Sequence, residues 1–145
     1  MFNIKKTTLI AALISSSIVI WGCTEDGLEP SPYEEVNTLD NVSIEFEKNV
    51  YAPEGDTFIL HTYNRSDDEI SYGIAFTVET EEEGEWFIVE PEEEMSFILI
   101  AHILEPGEEA QEEVNMEYYE PFDAGTYRLV REIEGEVLTA EFEVN

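Results

Sequence analysis

Glu136-Val137-Leu138-Thr139-Ala140-Glu141-Phe142-Glu143-Val144 decides the fold of this 145-residue chain. Leu138, Ala140, Phe142 and Val144 fall on one face, and Val137, Thr139, Glu141 and Glu143 on the other. A period of two marks a half-buried β-strand, whereas a helix would repeat near 3.6 residues.

Working back from that stretch, the same period recurs. Residues 126–133 form the preceding strand, and residues 111–118 put Val114, Met116 and Tyr118 on one face. Residues 96–104 are an apolar run of strand length, expected to be covered in part on both sides. Trp86-Phe87-Ile88-Val89 is a short strand after the break at residues 81–84. Tyr72, Ile74, Phe76 and Val78 alternate with Gly73, Ala75, Thr77 and Glu79. Residues 57–64 set Phe58 and Leu60 against Ile59, His61 and Tyr63, while Val42, Ile44 and Phe46 alternate with Ser43, Glu45 and Glu47. Seven to eight strands separated by turn signals, with no helical segment to cover a parallel sheet, predict an all-β antiparallel sandwich over residues 42–145.

Asp123-Ala124-Gly125-Thr126-Tyr127 resembles the tyrosine corner of immunoglobulin-like domains, with Asp123, Gly125 and Tyr127 in the motif positions. The expected gain is a phenol whose ring packs in the core while its hydroxyl ties down a backbone turn. Antibody hallmarks are missing: Leu129 stands where a second cysteine would, and Ile74 and Phe76 replace the core tryptophan. Further pieces are Tyr72-Gly73, Glu85-Trp86, Leu104-Glu105-Pro106-Gly107-Glu108, Gly125-Thr126-Tyr127-Arg128-Leu129-Val130 and Ala140-Glu141-Phe142-Glu143-Val144. Together they resemble a bacterial Ig-like domain of small Gram-positive lipoproteins. That resemblance implies an immunoglobulin-like β-sandwich acting as a non-catalytic extracytoplasmic module, and it brings no catalytic residues with it.

Residues 1–22 read as a signal peptide. Lys5 and Lys6 precede an uncharged run at residues 7–21. As a helix that run would rise about 22 Å, short of the roughly 30 Å hydrocarbon core. Ile20-Trp21-Gly22-Cys23 resembles a bacterial lipobox, with a bulky Trp21 where small residues are commoner. In that family the cysteine thiol receives a diacylglyceryl group and becomes the new N-terminus, which makes Cys23 the expected lipidation site. The acyl chains, palmitate among them, would anchor the protein on the outer face of the cytoplasmic membrane. An ordinary thiol behind a plain secretory signal and an uncleaved anchor are the alternatives. Residues 23–41, with Gly27, Pro30 and Pro32 and no apolar periodicity, are expected to be a flexible acidic tether.

The chain holds 6 Lys and Arg against 35 Asp and Glu, a formal charge of −29. Only Lys48, Arg65, Arg128 and Arg131 follow Cys23, so cleavage there would leave 4 − 35 = −31. Such a surface repels nucleic acid and anionic lipid. A saline or alkaline exterior accounts for it, because salt screens self-repulsion.

Catalytic inventory is thin. His61 and His102 lie in strand patterns 41 residues apart, and no nucleophile elbow accompanies them. Paired carboxylates for a hydrolase arise by chance among so many acids. No cofactor is expected. Calcium at Asp67-Asp68-Glu69, Glu81-Glu82-Glu83 or Glu92-Glu93-Glu94 is the weaker alternative to solvated charge, because none has the spacing of a dedicated calcium loop. Trp86, Phe87, Tyr118 and Tyr119 form the candidate binding surface, because adjacent aromatics in a strand point to opposite faces. The partner is then an unknown envelope protein or polymer, and the runner-up function is an inhibitor or regulator of an envelope enzyme such as a protease.

The charge reading generates a measurable expectation. Thermal melting should shift upward equally with calcium chloride and with sodium chloride at matched ionic strength. A larger shift with calcium would mean a bound ion, not screening.

Overall fold

The computed structural model describes residues 27–145. Its strands are β1 (Glu29–Pro30), β2 (Val42–Phe46), β3 (Val50–Tyr51), β4 (Phe58–Asn64), β5 (Ile70–Tyr72), β6 (Thr77–Glu82), β7 (Glu85–Val89), β8 (His102–Leu104), β9 (Glu109–Val114), β10 (Gly125–Ile133) and β11 (Glu136–Val144). They form two sheets, a smaller one in the order β2-β4-β9 and a larger one in the order β1-β7-β6-β10-β11-β3. β5 joins the larger sheet beside β10, with β8 outside it. All pairings are antiparallel except β11 with β3, where the chain crosses sheets after β2. This is the predicted sandwich.

Turn chemistry sets the two long hairpins. Glu83-Gly84 and Glu134-Gly135 have φ of 52° and 83°, and 52° and 76°. Two consecutive positive φ values give a turn whose twist matches the strands, and glycine takes the second position without steric cost. Glutamate at the first position is strained. At Glu134 part of that strain is offset, because its carboxylate accepts the Ser71 N–H at 2.6 Å.

The two inner faces meet in an aromatic cluster. Phe142 lies 5.3 Å from Phe46, 5.2 Å from Phe58 and 5.5 Å from Tyr127, ring centre to ring centre. Tyr51 stacks on Phe58 at 3.9 Å. Leu60, Val78, Leu129 and Leu138 complete the centre and are fully buried. Asn64 is a fully buried polar residue beside this cluster. Its side chain donates to the carbonyls of Asp68 and Leu104 and accepts from the Ser66 N–H and hydroxyl. That satisfied amide fastens two turns and leaves nothing for a glycan on the Asn64-Arg65-Ser66 sequon.

Four expectations fail, each for a local reason. The alternation at residues 72–78 is split into β5 and β6, because the Ile74 and Ala75 carbonyls are taken by Arg131, through Nη2 at 2.9 Å and Nε at 3.4 Å. With no ladder at that point, residues 96–101 have no partner and only His102–Leu104 pairs, with β5. The run at residues 111–118 ends at Val114. The Asn115 side chain accepts the Glu117 N–H at 2.9 Å, and a 3-10 turn at Glu117–Tyr119 turns Tyr119 inward and Tyr118 outward. The described part of the expected tether is docked. β1 pairs with β7, the Asn37 N–H donates to the Val137 carbonyl at 2.7 Å, and the Asn37 amide bonds both the hydroxyl and the N–H of Thr139 at 2.9 Å. The apolar content of a linker predicts its mobility poorly when polar side chains can complete a sheet edge.

Burial raises the pKa of Tyr51, Tyr72, Tyr119 and Tyr127, and Tyr119 is pushed up to about 12 by burial and by the Glu90 charge. Unfolded tyrosines ionise near pH ~10, so above that pH the unfolded chain sheds protons that the fold retains. Stability should therefore be full below about pH 10 and fall as the pH rises from there towards 12. In a spectrophotometric titration the buried phenols should ionise together with loss of the circular dichroism signal. Ionisation well before unfolding would contradict this.

Candidate functional site

The sequence-predicted residues do not converge. Phe87 is buried on the inner side of β7, and Tyr119 is buried against Phe122 with parallel rings 6.3 Å apart. Tyr118 is exposed at the 3-10 turn, whereas Trp86 is half-buried on the opposite side of β7 from Phe87. The four aromatics therefore form no single surface, because two of them complete the core. At the tyrosine corner, the Tyr127 hydroxyl donates to the Asp123 carbonyl at 2.8 Å while its ring packs on Phe122 at 5.0 Å. Cys23 lies outside the described residues.

Trp86 instead covers a buried ion pair. Cross-strand partners Glu79 and Arg128 sit on the outer face of the larger sheet, with Arg128 Nε 2.6 Å from Glu79 Oε2. The Trp86 ring lies over the guanidinium at 4.3 Å, and Arg128 Nη2 is 3.4 Å from the Ser31 hydroxyl. Glu79 Oε1 has no hydrogen-bond partner among the described residues. The segment at residues 31–37 roofs this face, running from the β7 edge, where the Ser31 N–H donates to the Trp86 carbonyl, to Thr139 on β11. Alternation alone placed Glu79 in solvent. The detectable signal was an arginine at the facing register position.

The exposed apolar surface lies elsewhere. Ile98 is 70 % exposed, Ile103 61 %, and Leu99 is entirely open to solvent. Ile98, Leu99 and Ile100 form a finger whose base is fixed by Phe97 against Phe76 at 5.3 Å, while Ile103 lies on β8. At its tip the Ile100 N–H donates to the Ile98 carbonyl at 3.0 Å. The finger and residues 71–75 border a shallow, mainly apolar groove of about 370 Å³. His102 flanks it, stacked on Tyr72 at 5.6 Å.

A family model described as a bacterial Ig-like domain matches residues 38–143. The chain belongs to the bacterial Ig-like domain family. No curated protein matches it. The roofing segment, residues 31–37, precedes the matched span.

Histidines and acids of the Ig-like domain remain dispersed. His61 Nδ1 is 3.5 Å from Glu109 and its Nε2 is 3.4 Å from Gln111. His102 is on the other sheet. Asp67, Asp68 and Glu69 border a cavity with Asp40, Glu134 and Glu136. Among the described residues, no three His, Cys, Asp or Glu side chains converge closely enough to hold a metal ion.

Removing one partner of a buried ion pair strands the other charge, at a cost of about 3–5 kcal/mol, whereas replacing both by apolar residues is often neutral. Arg128→Leu should therefore lower unfolding stability in urea by roughly that amount, and Glu79→Leu combined with Arg128→Leu should recover most of it. A double variant as unstable as the single one would show that Arg128 acts by packing under Trp86 alone.

Proposed function

We propose that this Ig-like domain is a lipid-anchored, extracytoplasmic binding or structural module of the bacterial cell envelope, acting without catalysis. Anchoring is supported by the sequence around Cys23. The acidic coat suits an exported domain in a saline setting. Binding rests on one observation: a rigid sandwich that holds the apolar side chains of Ile98, Leu99 and Ile100 in solvent. A contiguous exposed apolar patch on a folded domain marks an interaction site.

The reading as a protease inhibitor draws on the same projecting loop. It is disfavoured by the tight turn at Ile98 to Ile100, because a protease cleft receives its ligand as an extended strand.

Cells supplied with labelled palmitate should incorporate it into the protein and retain the protein in the membrane fraction. Cys23→Ala should lose both. Label persisting in that variant would overturn the anchored reading. In intact cells a photoreactive side chain at position 99 should give saturable adducts with an envelope component, while one at position 113 should not. Equal labelling from both positions would remove the finger as the binding site.

A further inference from the structure

We propose that the finger at residues 97–101 docks into the lipid bilayer that carries the anchor, so that the domain lies against the membrane on one defined edge. The inference rests on the anchored reading above and names the partner of that same site.

Topology places the finger and the start of the described chain together. Glu29 pairs with Ile88, Ile88 with Glu79 and Glu79 with Arg128, so β1 stands level with Arg128. His102 pairs with Tyr72 and Tyr72 with Ile133, so the foot of the finger stands level with Ile133. Both lie on the side of β10 away from β11. Arg128 and Ile133 are five residues apart on one strand, or roughly 17 Å at about 3.3 Å per residue. From Cys23 to Leu28 is five residues as well, a reach of at most about 17 Å. Because the docked segment shortens the expected tether, a lipid on Cys23 would hold this edge, with its finger, at the bilayer surface.

Charge selects the same edge. Residues 70–78 and 95–104 contain no aspartate or glutamate in a chain that has 35. The fold sets these two stretches side by side, with β5 paired to β8 and residues 97–101 bordering one groove with residues 71–75. The acidic triplet at residues 92–94 precedes the finger, and the Glu92 N–H is tied to the Tyr118 carbonyl at 2.8 Å. Elsewhere the acid coat opposes contact with a bilayer; here apolar side chains face out, which suits insertion at the interface between headgroups and acyl chains.

The test uses full-length protein, purified from membranes with its lipid and placed in phosphatidylcholine vesicles. A nitroxide is attached at Leu99→Cys or, as control, at Glu113→Cys on the outer face of the smaller sheet. On vesicles the Leu99 label should lose collisions with a water-soluble nickel chelate and gain them with oxygen, while the Glu113 label should change in neither. Protein that carries a diacylglyceryl mass on Cys23, yet leaves the Leu99 label open to nickel, would overturn the proposal and leave the anchor standing. Absence of that mass would overturn both. Dipolar broadening between Leu99 labels that vanishes on mixing with unlabelled protein would place a second copy on the finger and overturn the bilayer as its occupant.

Discussion

Scarcity of positive charge governs how this domain is put together. After Cys23 only Lys48, Arg65, Arg128 and Arg131 stand against 35 acids, and each is committed. Lys48 pairs with Asp56 at 3.3 Å and lies over the Tyr51 ring. Arg65 covers Tyr63. Arg131, buried on the inner side of β10, pairs with Glu112 of the opposite sheet and bonds the Ile74 and Ala75 carbonyls. Arg128 neutralises Glu79 on the outer face. Both buried cations lie on β10, the central strand, where they tie it to the second sheet and to the roofing segment.

The placement has structural consequences beyond neutralisation. By claiming two carbonyls, Arg131 prevents β5 and β6 from being one strand and so denies residues 96–101 a ladder. An apolar run of strand composition then has no sheet to join and projects as a finger. A backbone without a ladder partner must stay where water or side chains can satisfy it. The exposed finger is thus a result of how a buried cation is satisfied, three strands away in sequence.

Much of this was legible in the residues. Period-two alternation found most of the strands, and Phe46, Phe58, Leu60, Val78, Leu138, Phe142 and Val144 took the inward positions that alternation assigns. Asp123 to Tyr127 indicated the family from one corner. What could not be read was long-range. Nothing local in Ser31 to Thr38 announces that Asn37 completes the edge of β11, a bond spanning 102 residues. Glu79 reads as outward by parity, which is correct, yet outward here means beneath another layer. The four aromatics form no common surface because one of each adjacent pair, Phe87 and Tyr119, is buried. The 3-10 turn breaks the strand parity of Val114 and Met116 and so makes Tyr119, not Tyr118, the inward residue.

The roofing segment also changes what acidity means for this fold. A freely extended linker would let a strongly negative domain stand away from a surface that repels it. Here residues 31–37 are held over Glu79 and Arg128, so this part of the linker is not free to extend. The two acid-free stretches interrupt the acidic coat on the side of β10 away from β11. Charge omitted at residues 70–78 and 95–104 is therefore as informative as charge placed elsewhere: in a sequence this acidic, neutral surface has to be kept neutral residue by residue.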